Sequence, residues 1–202
     1  MIMNNIIIKK EEFINRINQL RSTLANTELD AIFAFSTESE PAGVRYFSDY
    51  WPSFETAGVL VPKTGKPVLL IGPESMTFAK SRSTIDDIIK MKDFRESSMP
   101  DYPGTKLIDW DVLLGDYKIK KIGISGWHML PHSIYKKISD ILGVANVYEA
   151  DEIVRRITLK KSKTELDCLR EAARISEIGF KAVLENIKPG MTEVQLAGIA
   201  TG

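Results

Sequence analysis

The tetrapeptide Ser162-Lys163-Thr164-Glu165 sets the strongest constraint in this chain. Its spacing closes a capping box: the Ser162 hydroxyl accepts from the third helical N–H while the Glu165 carboxylate reaches back to the cap's own N–H. A helix starts there. Leu166, Leu169, Ala173, Ser176, Phe180, Val183 and Ile187 then fall on one face until Pro189-Gly190 ends the run, and Thr192-Glu193-Val194-Gln195 offers a second box-like start. A helix pair of about 40 residues is below the size at which one core usually holds without staples. The segment therefore needs a partner surface, either absent from this sequence or on the domain before it.

The preceding residues have a different texture. Phe13, Ile17, Leu20 and Leu24 recur at helical spacing from about Lys10 to Ala25, and the short apolar run Leu29–Phe35 then reads as a buried strand. Ala57–Val61 and Val68–Ile71 are β-prone runs joined by Pro62-Lys63-Thr64-Gly65-Lys66-Pro67, which predicts an antiparallel hairpin. Glu74–Lys80 and Leu107–Leu114 read as helices, Ile85–Met91 as a strand and Ser97–Thr105 as a loop. Ile122-Gly123-Ile124 and Asn146–Tyr148 read as strands flanking a helix opened by Pro131. Strands alternating with helices, apart from one hairpin, predict an α/β layer with a mixed sheet over roughly the first 150 residues.

Bulk properties narrow the partners. Lys plus Arg and Asp plus Glu both number 27, so no global field draws the chain to nucleic acid or an anionic membrane. The one cysteine, Cys168, has no internal partner and suits a reducing compartment. Ile6-Ile7-Ile8 lacks a basic leader and is ended by Lys9, Lys10, Glu11 and Glu12, which excludes a secretory signal or membrane span at that point. A cytoplasmic location is expected.

Arg156-Ile157, Lys161-Ser162, Glu165, Leu169-Arg170-Glu171-Ala172-Ala173 and Ile187-Lys188-Pro189-Gly190-Met191-Thr192-Glu193 together resemble the opening segment of the pita-bread domain in Xaa-Pro peptidases, prolidases and creatinases. Arg16–Arg21, Leu29-Asp30-Ala31, Tyr46-Phe47-Ser48 and Gly58–Pro62 are similar to that family's amino-terminal domain. The resemblance implies a three-layer α/β domain over 1–153, a linker over 154–162 and the start of a truncated catalytic domain over 163–202. It also implies a parent hydrolase with two divalent metal ions (Mn, Co or Zn), cleavage before proline, and a homodimer whose amino-terminal domain overhangs the partner's active site. No catalytic residue or metal ligand carries over to this sequence, so the chain alone is expected to be inactive.

Tyr50, Trp51 and Phe54, in an aromatic-rich stretch with Tyr46, Phe47 and Pro52, are the candidates for substrate gating or a dimer interface, because large rigid rings bury area at low entropy cost. Glu55 and Thr56 supply no base beside them, which favours a peptide over creatine. A non-catalytic relative that binds protein partners is the alternative. His128 and His132 have zinc-like spacing, but Pro131 separates them at a helix start. Asp86-Asp87, Asp109-Trp110-Asp111 and Asp151-Glu152 read as solvated acids. Gly123–Trp127 resembles a nucleophile elbow but has Trp127 where glycine is required. The basic group Arg155, Arg156, Lys160, Lys161 and Lys163, interleaved with Ile157 and Leu159, reads as an interdomain linker rather than a nucleic-acid patch.

Overall fold

A computed structural model describes residues 6–95 and 104–201. The chain divides into two compact units, one spanning Lys9–Leu159 and the other containing the residues from Lys160 onward.

The first unit is built on six strands: β1 (Ala31–Ser36), β2 (Ala57–Pro62), β3 (Val68–Ile71), β4 (Ile88–Lys90), β5 (Ile122–Ser125) and β6 (Val147–Glu149). They form one sheet in the order β4-β3-β2-β1-β5-β6. The hairpin expected from the Pro62–Pro67 turn is present, with Ala57 opposite Ile71 and Leu60 opposite Val68. β1 pairs antiparallel with β2 and parallel with β5, so the sheet is mixed. Six helices cover it: α1 (Lys10–Leu24), α2 (Ala42–Ser48), α3 (Met76–Arg82), α4 (Trp110–Asp116), α5 (His132–Leu142) and α6 (Asp151–Leu159).

The central strands are apolar throughout because both faces are covered. Ile32, Ala34, Val59, Val61, Leu69 and Ile71 point to a core shared with α1, α2, α3 and α6, through Leu20, Phe47, Ala79 and Val154. Their sequence neighbours Phe33, Phe35, Leu60 and Leu70 point the other way, to Trp110 and Leu113 of α4 and Ile134 and Ile138 of α5. This period-two division gives the three layers. Phe33 lies directly over Gly58: a Cβ built there would be 2.2 Å from its ring, so only glycine admits that contact.

Several boundaries differ from expectation, each for a local reason. The helix expected over Leu107–Leu114 starts at Trp110, because Ile108 hydrogen-bonds alongside Lys90 and Lys92 and Asp109 then accepts from the Trp110 N–H. The strand expected over Ile85–Met91 pairs only at Ile88–Lys90, the stretch that reaches β3. The helix expected over Glu74–Lys80 runs two residues later. Tyr46 and Phe47, read as part of an aromatic loop, lie on α2. Most of the loop expected over Ser97–Thr105 lies outside the described residues.

Residues 154–159, assigned to a linker from the sequence, are the helical end of α6. In the second unit α7 (Lys163–Asn186) carries the full capping box: the Glu165 N–H donates to Ser162 Oγ at 3.1 Å and the Ser162 N–H donates to Glu165 Oε2 at 2.7 Å. α8 (Glu193–Thr201) approaches α7 at Gly179, where a Cβ would be 2.8 Å from the Ala200 carbonyl oxygen. Among the described residues, α7 and α8 bury none of their side chains, and Leu169, Phe180, Leu184 and Ile187 are all more than half exposed.

Candidate functional site

The aromatic candidates lie between α2 and β2. α2 ends at Asp49, whose φ of 57° reverses the chain, and the Tyr50 N–H donates to the buried Ser48 hydroxyl at 3.2 Å. Beyond this reversal Tyr50, Pro52 and Glu55 are buried, whereas Ser53 and Phe54 are exposed.

Tyr50 goes inward. It is 1% exposed and packs against Phe78, inside the core beneath the segment. Glu55 also goes inward, and its carboxylate was not foreseen as important. Glu55 Oε2 accepts from the Ser75 hydroxyl at 2.6 Å and the Ser75 N–H at 3.1 Å, while Oε1 is buried without a hydrogen-bond partner. Gly72 makes room for this carboxylate, since a Cβ there would lie 2.0 Å from Oε1. Burial pushes the Glu55 carboxyl up from its usual range; the Ser75 hydroxyl and backbone N–H groups pull against it and the neighbouring Glu74 charge adds to it. Burial likewise raises the Tyr50 phenol, with Ser75 opposing and Glu55 adding.

Trp51 and Phe54 face outward. Phe54 is 43% exposed and, with Thr37, Glu38, Ser39, Glu55 and Thr56, lines an open cavity of about 490 Å³ at the end of β1 and the start of β2. Trp51 is half-buried. The Arg45 and Arg82 guanidiniums lie 4.8 and 4.9 Å from its ring centroid, and Phe78 meets its edge at 5.3 Å. The half-buried tryptophan is thus held by cation–π contacts from α2 and α3. The sequence signalled the aromatics but not these arginines, which come from 6 residues before and 31 residues after Trp51.

The other motifs resolve into structural roles. His128 lies in a short turn before Pro131 and contacts Glu40 at 3.2 Å, whereas His132 opens α5. Asp151 binds the Ser125 hydroxyl at 3.0 Å, the Gly126 N–H at 2.6 Å and the Trp127 N–H at 3.3 Å, which ties α6 to the end of β5. Arg155 and Arg156 both pair with Glu152 and hold its carboxyl down at about 2. Asp86 pairs with Lys10 and Asp109 with Lys137. Among the described residues, no three His, Cys, Asp or Glu side chains come together to hold a metal ion, and no helix is long and apolar enough to cross a membrane.

A mixed six-stranded sheet with helices on both faces defines a three-layer α/β domain. Residues 16–157 match the family model for the creatinase/prolidase N-terminal domain, and the chain belongs to that family. It is 25% identical over 189 residues to creatinase of Bacillus sp. (strain B-0618), covering 93% of this chain and 43% of that protein. Among solved structures it resembles the prolidase of Pyrococcus horikoshii OT3 (TM-score 0.68, 18% identity, 92% of this chain and 47% of that one). It also resembles an Xaa-Pro dipeptidase of Bacillus anthracis (TM-score 0.66, 19% identity, 93% and 47%). The chain spans less than half the length of each of these relatives.

Proposed function

We propose that this chain is the amino-terminal portion of an Xaa-Pro dipeptidase or aminopeptidase, serving dimerisation and substrate gating for a metal-dependent hydrolase that cleaves the bond before proline. The observation that carries this reading is the likeness to prolidase and Xaa-Pro dipeptidase structures across more than nine-tenths of the chain, α/β domain and following helices alike. On this reading the two divalent ions (Mn, Co or Zn) are held by the rest of the longer protein, and the 202-residue chain alone is expected to be inactive. Trp51 and Phe54 are the outward-facing aromatics available to a proline-containing substrate or a partner subunit. Tyr50 and Glu55 hold the segment that carries them. A cytoplasmic homodimer is the expected form.

The test is release of proline from Xaa-Pro dipeptides by the protein encoded by the longer gene, with and without divalent metal, the 202-residue chain serving as control. Metal-dependent release by the longer protein alone is expected. Release by the 202-residue chain would refute the assignment of catalysis to residues outside it. An amidinohydrolase of the creatine type is the second reading, favoured by the 25% identity to creatinase; urea release from creatine in the same assay would select it. Loss of both activities, and of N-terminal residue release from longer Xaa-Pro peptides, in a well-folded, metal-loaded protein would select a non-catalytic, protein-binding relative.

A further inference from the structure

A separate concave surface lies where α1, the β2–β3 turn and the approach to β4 meet. Phe13, Ile14 and Ile17 of α1, with Thr84 and Ile85 before β4, line a cavity of about 250 Å³. Phe13, Ile17 and Ile85 are buried and form its apolar floor. The rim is charged: Lys10 pairs with Asp86 at 3.1 Å and Lys66 with Asp87 at 4.0 Å. Solvent-facing pairs of this kind contribute little to stability, so their partners exchange readily for the charges of a ligand. Thr84 adds a third polar element, because its hydroxyl is buried and has no hydrogen-bond partner among the described residues. An unsatisfied buried hydroxyl carries a desolvation penalty, which a ligand oxygen accepting from it removes.

We propose that this cavity binds a free α-amino acid with an aliphatic side chain. Drug-sized ligands fill pockets of about 300–1,000 Å³, so this space suits a smaller molecule. The floor accepts an apolar side chain, while the two lysines and two aspartates of the rim match one carboxylate and one ammonium. A simple anion would meet Asp86 and Asp87, and a simple amine would meet Lys10 and Lys66. The zwitterion is the species for which both signs of rim charge are favourable. The Thr84 hydroxyl donates to the carboxylate, the one acceptor group that an aliphatic amino acid carries. All of these residues belong to the α/β unit, and the proposal rests on no assignment of catalysis.

Binding to the 202-residue chain tests it. The isotope-labelled protein is titrated with L-leucine and with three analogues: 4-methylpentanoate, which lacks the ammonium, 3-methylbutylamine, which lacks the carboxylate, and glycine, which lacks the side chain. The backbone N–H signals of Ile14, Thr84 and Asp87 report on the cavity by NMR. Leucine is expected to shift all three along one saturating curve. Each analogue is expected to bind at least about tenfold more weakly, having lost a charged hydrogen bond or the apolar burial. Lys66→Gln and Asp86→Asn change exposed side chains, and Thr84→Val keeps the shape of the side chain it replaces. Each variant is expected to weaken leucine binding severalfold while leaving the spectrum of the α/β core unchanged. Affinity for any one analogue equal to that for leucine, undiminished binding in any of the three variants, or shifts that never saturate would each overturn the proposal.

Discussion

Glu55 is the residue whose chemistry departs furthest from its surface expectation. In the sequence it counts as an acid beside two aromatics, an absence of base. In the structure it is 2% exposed, with one oxygen held by Ser75 and the other unpartnered. A carboxyl raised by burial contributes stability that is fully present below its unfolded-state value and lost as pH rises through its folded-state value. The chain is therefore expected to lose stability relative to Glu55→Gln as pH rises from about 4 towards neutrality, as read by urea denaturation across that range. A constant difference between the two proteins would show that Glu55 does not titrate in this window. Gly72→Ala forces a methyl into the carboxylate and is expected to cost about 1–3 kcal/mol by the same measurement. No spacing rule could have found this pair, because Glu55 and Gly72 meet only once β2 and β3 are paired.

At the scale of elements, the regular periodicities were legible and the junctions were not. Runs such as Ala31–Phe35 read as strands because burial on both faces leaves little choice of residue, and α1 read as a helix from its 3.6-residue stripe. α2 was missed because only Val44, Phe47 and Ser48 are buried in its seven residues, too few for a stripe, and its aromatics drew attention as a loop. The start of α6 depends on Asp151, whose carboxylate gathers three donors from the end of β5. Asp151→Ala is expected to destabilise the first unit by about 2 kcal/mol, the usual range for hydrogen bonds to a charged group, measured by thermal or urea unfolding. Phe33→Ala, in contrast, removes a fully buried ring packed over Gly58 and against Trp110, and is expected to cost about 3–5 kcal/mol.

Across the whole molecule the two units differ in kind. The α/β unit buries two apolar layers, whereas α7 and α8 carry a capping box, a string of side-chain ion pairs such as Lys163–Asp167 and Arg174–Glu171, and an apolar face left in solvent. Capping and surface pairs define where a helix begins but contribute only tenths of a kcal/mol to about 1 kcal/mol each, so they cannot replace a core. Limited trypsin digestion is expected to cut first at Lys160, Lys161 or Lys163 and leave a resistant fragment ending close to Leu159. A junction as resistant as the α/β core would show that the units do not separate there. By itself the sequence determined the alternation of strands and helices, the hairpin, the start of α7 and the resemblance to one family, because each depends on neighbours a few residues apart. Only the tertiary structure decided that Tyr50 and Glu55 turn inward while Trp51 and Phe54 face out, and that Arg45 and Arg82 meet on one indole. Those outcomes depend on chain reversal at Asp49 and on strand pairing, which bring together side chains whose separation along the chain carries no signal.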